Sequence, residues 1–378
     1  MESALKNNTD TTGIKWERLF LKNRTILPFF KATLYRLTRW ETWDWRIKYI
    51  LIAPAWFWFC LRARSPWFFT AANPTLTFGG FDGESKKEMY AQLPPGSYPK
   101  SFYASPRTSF TEVEKLAETM GFPLAVKPEV GKMGLMFRRI NTVGKLQEYH
   151  EKIQCRYIVQ EFINYPLEVS VFYYRIPGEE KGNITGFIRK DFMEVTGDGH
   201  STLWELILKY PRATFRLDEM KAKHKARLHQ VLLPGERYCL SPALNLSRGG
   251  KLVSLEQEKD ERLLKVFDHI SHYTGNFYYG RYDIKCRSIE ELKEGKNFSI
   301  LEYNGSGAEP HHVYGNGYNL IQACAILISH WGMLYRISRK NHNNGINYWP
   351  LNRGWKFISH AAKKIKLLKE LDEGTGLT

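Results

Sequence analysis

Two periodicities run through this chain, one near two residues and one near 3.6, and they assign strands and helices to different stretches. Apolar runs of strand length cover 124–127, 157–162, 168–175, 184–192, 278–286 and 298–304. Helical spacing covers 84–93, 111–120, 203–208 and 318–338. Turn residues separate the pieces at Asn73-Pro74, Gly79-Gly80, Pro94-Pro95-Gly96 and Gly178 through Gly182. Strands and helices mix without regular alternation and without an internal repeat, so the pattern predicts an α+β fold rather than a doubly wound parallel sheet.

At both ends the pattern changes character. Residues 1–64 interleave basic and large aromatic side chains, among them Lys15, Trp16, Arg18, Phe20, Lys22, Phe29, Phe30 and Lys31. Six of the eleven tryptophans lie between Trp40 and Trp67. The uncharged run 49–61 is shorter than the roughly 20 residues needed to span a bilayer. Flanked by Arg46, Lys48, Arg62 and Arg64 and broken by Pro54, it predicts an interfacial or re-entrant anchor. Its competing fate is burial against the protein's own body. Near the other end, Ile358, Ala361, Ala362, Ile365 and Leu368 share one helical face among Lys363, Lys364, Lys366 and Lys369.

The net charge of +16 follows the same division. Residues 1–64 hold twelve Lys/Arg against five Asp/Glu, and residues 336–370 hold nine against one, which leaves the middle near neutral. That distribution argues against a nucleic-acid cleft and makes an anionic membrane surface the expected partner of both ends. Five scattered cysteines without a C-x-x-C spacing exclude a disulfide framework and a zinc site, which fits a reducing compartment. The expected organisation is a membrane-associating segment 1–64, a catalytic domain 65–335 and a basic amphipathic tail 336–378.

Chemistry concentrates in four places. In GRYDIK and LEYNGSG, strand alternation puts Arg281 and Asp283 on one face of the first strand and Glu302 and Asn304 on one face of the second. Two carboxylates and an amide oxygen are hard ligands suited to magnesium that also takes phosphate and water oxygens, and Arg281 is a fixed cation beside them. In FPLAVKPEVGKMG, Lys127 ends an apolar strand just before a loop with Gly131 and Gly134, where an ammonium and backbone N–H groups can meet phosphate; no Walker A spacing is present. In YIVQEFINYPLEVS, a break at 164–166 separates two strands and could offer main-chain groups to an adenine edge, with Glu168 just beyond for ribose hydroxyls. After the last strand, Ser306 and Gly307 are candidate oxyanion donors, and Glu309, His311 and His312 are candidates for handling an incoming nucleophile.

In their order and spacing these motifs resemble the ATP-grasp superfamily over roughly residues 84–335, in its carboxylate-amine ligase branch, which includes D-alanine–D-alanine ligases and cyanophycin synthetase. The resemblance implies two α+β lobes, about 100–165 and 166–335, enclosing ATP. It implies that Lys127 binds nucleotide phosphates, that Gln160, Glu161, Phe162 and Ile163 contact adenine, and that Glu168 binds ribose. It places the metal ligands at Asp283, Glu302 and Asn304 and the transition-state arginine at Arg281. The stretch RKDFMEVTGDGHSTLWELI is similar to the cyanophycin-synthetase pattern and assigns a phosphate-facing role to Lys190. A further phosphate contact falls on Lys86 or Lys87. The implied cofactors are ATP and Mg2+, or Mn2+ in its place, and the substrates are a carboxylate and an amine, lipid-linked or amphiphilic if the membrane location holds. Ligation to a hydroxyl, a thiol or a protein terminus is the alternative within this chemistry, and a membrane scaffold with a vestigial nucleotide site is the alternative outside it. The departure is the short stretch 65–83, where the family usually has a substantial N-terminal substrate domain. Use of ATP places the expected location in the cytoplasm, peripheral on the inner face of the cell membrane.

Overall fold

The computed structural model describes residues 40–210, 213–241 and 250–374. Most of the basic, aromatic segment expected at a membrane, residues 1–39, lies outside the described residues. The chain divides into two compact units, Tyr49–Asp191 with Leu252–Thr378, and Phe192–Lys251 with the residues before Tyr49. The strands in chain order are β1 (Ser101–Ala104), β2 (Leu124–Pro128), β3 (Arg138–Ile140), β4 (Tyr157–Glu161), β5 (Leu167–Tyr174), β6 (Asn183–Asp191), β7 (Met193–Thr196), β8 (Arg237–Ser241), β9 (Lys251–Ser254), β10 (Tyr279–Cys286) and β11 (Phe298–Asn304). Six of them fall within two residues of the expected strands. The short β1, β3, β7 and β9 carry too few residues for a periodic signal, and the five residues of β8, RYCLS, are too polar for an apolar run.

The larger unit holds two sheets. The first has the order β1-β4-β2-β3 and the second β11-β10-β5-β6-β9. Neighbours β1/β4, β2/β3 and β2/β4 pair antiparallel in the first, and β5/β6, β10/β5 and β10/β11 do so in the second. This pairing places the unit in the α+β class. Helices Phe110–Met120 and Val143–Lys152 cover one face of the first sheet through Val113, Ala117, Leu146 and Tyr149, which pack on Leu124, Val126, Tyr157 and Val159. Helix Glu261–His272 covers one face of the second sheet, with Leu263, Phe267 and Ile270 against Val171, Tyr173, Tyr282 and Ile284. Because successive strand residues point to opposite faces, the apolar positions of β5, β6, β10 and β11 are spent on that core and the intervening polar positions gather on the other face.

A third cluster joins the Trp-rich segment to the rest of its unit. Residues 45–63 form one helix, Trp45–Ala63. Trp56, Phe59, Cys60 and Ala63 pack against Phe68, Phe69 and Tyr335, while Ile50, Leu51, Phe57, Trp58 and Leu61 remain 51 to 73% exposed. The strip is thus half core and half surface. Helix Leu320–Asn343, which extends the expected 318–338, is long and apolar enough to cross a membrane by length and composition, and a third of that stretch is buried within the protein. The last helix, Leu351–Gly374, corrects an expectation. Its apolar stripe does not face outward: Phe357 and Ile358 pack on the Trp67 and Phe78 cluster, and Ile365, Leu368 and Leu371 pack on the first sheet's core.

The smaller unit pairs β7 with β8 antiparallel and packs Leu203, Ile207 and Met220 on Met193, Val195 and Leu240. The Gly197-Asp198-Gly199 turn is closed by Asp198, which accepts from Ser201 N–H at 2.7 Å and His200 N–H at 3.1 Å. The helix that follows is capped by Thr202 in a capping box with Glu205.

Candidate active site

The antiparallel register of the second sheet stacks the polar positions in rows. Glu168 on β5 lies between Lys190 on β6 and Lys285 on β10. Ser170 lies opposite Asp283, which lies opposite Glu302, and Arg281 lies opposite Asn304. These pairings turn four separate motifs into one surface. Lys190 Nζ sits 3.1 Å from both Glu168 Oε1 and Asp283 Oδ1. Arg281 grips Asp283 with two bonds of 3.1 Å and reaches the Glu309 carbonyl at 2.8 Å and His311 Nε2 at 3.0 Å. Asn304 and the Ser170 hydroxyl also donate to Asp283.

Burial and charge compete at each of these groups. Burial alone would raise Asp283, but Arg281 and Lys190 hold its carboxyl well below the usual carboxylate range. Burial alone would lower Lys190, but Asp283 and Glu168 keep it above its ordinary value. His311 is half-buried beside Arg281, and desolvation with that cation holds its imidazole well below its ordinary value and therefore neutral. Its Nδ1 has no hydrogen-bond partner. His312 is lowered to about 4 by burial and by Lys259. A neutral ring whose Nε2 accepts from Arg281 is poorly placed to take a proton from a nucleophile. Glu309 instead accepts from the phenols of Tyr49, at 3.3 Å, and Tyr314.

A bulge connects this surface to the first sheet. The β10/β11 register shifts between Asp283 and Ile284, leaving Leu301 without a partner in the ladder. Its carbonyl accepts instead from Lys127 Nζ at 3.2 Å and Tyr90 hydroxyl at 2.7 Å. Burial and the neighbouring Lys86 lower Lys127 to about 7, against the opposing pull of Glu302 and Glu168. Of the two early lysines, Lys86 is the buried one, 3.2 Å from the Gly131 carbonyl and 3.8 Å from Glu302, whereas Lys87 is exposed near the Tyr103 ring.

Beside these groups opens a cavity of about 240 Å³ lined by the 80–86 turn, Gly131, Lys132, Glu302, Asn304 and Gly307, with Ala361, Lys364 and Ile365 from the last helix. Glu84 in its wall is raised to about 7 by burial, with Glu302 adding to the rise. Glu302 and Asn304 face the cavity and Asp283 does not line it. Two hard-oxygen ligands suit a magnesium ion that completes its shell with phosphate and water oxygens. Among the described residues no group of three or more His, Cys, Asp or Glu side chains could hold a metal alone.

Several expected contacts are redirected. Ser306 and Gly307 are not free oxyanion donors, because their N–H groups donate to the Gly79 and Gly80 carbonyls at 3.1 and 3.2 Å and the Ser306 hydroxyl bonds Gly79 and Phe69. Gln160 turns its amide into the core, to the Tyr90 and Ser101 hydroxyls at 3.0 and 2.9 Å, so its side chain is not available to a base. The Glu161 N–H is taken by the Lys100 carbonyl. Phe162 lies under the Arg139 guanidinium at 4.5 Å, and Ile163 follows it in the connection to β5. Gly134 takes a left-handed φ of 71° in the loop over the cavity, a conformation that favours glycine. Sequence reasoning missed Lys364, Lys132 and the Leu301 carbonyl. The FGGFDGES stretch was a signal, since three glycines in six residues mark a close backbone approach.

No protein-family model matches the sequence, and no curated protein matches it. Among solved structures the chain is similar to a bifunctional glutathione synthetase from Pasteurella multocida, with TM-score 0.40, 14% identity and 64% of this chain on 34% of that one. It is also similar to a D-alanine–D-alanine ligase from Bacillus anthracis, with TM-score 0.38, 13% identity and 69% of this chain on 68% of that one. A third similarity is to the ATP-grasp ligase PsnB complexed with its minimal precursor, with TM-score 0.34, 14% identity and coverages of 65% and 60%. The chain spans only about a third of the length of the first of these, and 60 to 68% of the other two.

Proposed function

We propose that this chain is an ATP- and Mg2+-dependent ligase of the ATP-grasp type that activates a carboxylate as an acyl phosphate and joins it to an amine. The observation that carries the reading is the single polar surface formed by Lys190, Glu168, Arg281, Asp283, Glu302 and Asn304, with Lys127 delivered to its edge by the Leu301 bulge. Lys127, Lys86 and the Gly131 loop would hold nucleotide phosphates, and Glu302 and Asn304 would hold Mg2+, which supplies charge neutralisation for phosphoryl transfer. Arg281 and Lys190 would balance negative charge on the transferring group. A carboxylate oxygen bonds to the terminal phosphorus as ADP leaves; the amine then bonds to the acyl carbon, phosphate leaves and the amine loses a proton. Oxygen-18 supplied in a substrate carboxylate should appear in released phosphate, with ADP as the nucleotide product. AMP and pyrophosphate, or phosphate free of label, would sink the mechanism. Glu302→Gln should abolish turnover with an unchanged circular dichroism spectrum.

We also propose that the enzyme works as a peripheral protein on an anionic membrane surface, the cytoplasmic face of the cell membrane, and that its substrate is lipid-linked or amphiphilic. The support is the exposed apolar face of the Trp45–Ala63 helix, with exposed Arg62 and Arg64 at its end. The apolar stripe of the last helix is spent inside the protein and takes no part in this.

A further inference from the structure

The Leu351–Gly374 helix has no part in the ligase reading, yet it touches both walls of the cavity beside Glu302 and Asn304. On one wall it rests on the 80–83 turn, where a Cβ at Gly83 would meet Phe357 at 3.0 Å and Ala361 at 3.5 Å. On the other it holds the loop that follows Lys127. Leu368 is fully buried, 3.4 Å from where a Gly131 Cβ would lie, and Asp372 Oδ1 accepts the Met136 N–H at 3.0 Å while pairing with Arg138 at 3.0 Å. Met136 has a φ of 55° and Met133 one of 58°, left-handed conformations that a bulky side chain holds only where the surroundings secure them.

Between these anchors Ala361, Lys364 and Ile365 form part of the cavity wall. Residues 357, 361, 364, 368 and 372 repeat at three- and four-residue spacing, so one face of the helix makes all of these contacts. The cavity's other lysines each have a carboxylate neighbour: Lys132 has Asp82 at 2.6 Å and Lys86 has Glu302 at 3.8 Å. Lys364 is the cavity lysine with no carboxylate within 4 Å among the described residues. The packed helix already fixes the backbone that carries this ammonium, so contact with an anion in the cavity costs only the side chain's own rotamer freedom.

We infer that this helix is a working wall of the nucleotide site, with Asp372 and Leu368 positioning the glycine-containing loop and Lys364 supplying a cation to the terminal phosphate of a nucleoside triphosphate. The inference rests on the ligase reading. Titration of the full-length protein with a non-hydrolysable ATP analogue and with ADP, each with Mg2+, separates the two. Lys364→Ala should weaken the triphosphate about tenfold, the loss of one charge-assisted contact, and the diphosphate far less. Lys364→Arg should restore binding, and Lys363→Ala, on the exposed side of the same helix, should change neither. Asp372→Ala should weaken both nucleotides and speed tryptic cleavage after Lys132. Asp372→Asn keeps an acceptor for Met136 and should show the smaller effect; it also serves if the alanine variant fails to fold. Wild-type protein that binds neither nucleotide would overturn the ligase reading itself. Wild-type binding with Lys364→Ala unaffected, or equally weakened for both nucleotides, would overturn only the role of the helix.

Discussion

A carboxylate that stays ionised inside a protein needs cations within reach, and Asp283 has two, Arg281 and Lys190. Removing one partner of a buried network leaves uncompensated charge and costs about 3 kcal/mol or more. Lys190→Met should therefore lower unfolding stability by about that amount in urea titration, on top of any effect on nucleotide handling. Two histidines make a second residue-level prediction. Burial, with His312 adding to the effect, lowers His330 to about 3, and His312 itself lies at about 4. The unfolded chain, with its histidines near 6.5, binds protons that these folded rings refuse, so stability is fully present above about pH 6.5 and declines as pH falls toward 4. At pH 5 the loss is about 2 kcal/mol per histidine. The urea midpoint should drop between pH 7.5 and 5, and His330→Gln should remove part of that drop, with His312 and the likewise lowered His311 keeping the rest. An unchanged slope in the variant would mean that His330 is protonated in the fold.

The elements show which parts of the site the sequence could carry. Alternation along β5, β10 and β11 revealed the shared faces of Arg281 with Asp283 and of Glu302 with Asn304, because period two is a local property. The bulge between Asp283 and Ile284 was not legible, because the single phase shift it makes, with Ile300 and Tyr303 both in the core, is too short a departure in a seven-residue strand, yet it frees the carbonyl that receives Lys127. A second limit misassigned Ser306 and Gly307. Their position after a catalytic-type strand suggested open N–H donors, but the acceptors at Gly79 and Gly80 lie more than 220 residues away in sequence. Likewise the amphipathic stripe of the last helix was legible, while its partners were not. The turn and loop now make an element-scale prediction. Ser306→Ala should cost about 1 to 3 kcal/mol of stability through a buried hydroxyl network while leaving Mg2+-nucleotide affinity unchanged. Gly307→Ala should be far worse, because its Cβ would lie 1.9 Å from the Phe81 carbonyl oxygen. A Ser306→Ala variant of normal stability but weakened nucleotide affinity would return the hydroxyl to the active site.

At the scale of the whole chain the question is what the apolar face of the Trp45–Ala63 helix is for. Pro54 lies within this helix, and its hydrophobic residues occur all round it, which is the composition of a helix covered on both sides. One side is covered by Phe68, Phe69 and Tyr335; the other presents Ile50, Leu51, Phe57, Trp58 and Leu61, whose separations of three, four and seven residues put them on one face. Water is a poor neighbour for such a stripe, and large exposed apolar patches mark interaction surfaces. The proposed lipid surface accords with the charge distribution: seven net positive charges fall within residues 1–64, and an anionic leaflet would attract each nearby Lys or Arg by about 1 kcal/mol. The two contributions respond differently to salt, which screens the charges but not the burial of Trp58 and Leu61. The full-length protein should therefore float with anionic liposomes at low salt and be only partly released at high salt. The double variant Trp58→Glu, Leu61→Glu changes exposed positions that support no core, so it should keep the wild-type thermal midpoint while losing most of the salt-resistant binding. Flotation of the double variant equal to that of the wild type, or flotation of neither, would assign this face to another protein surface instead.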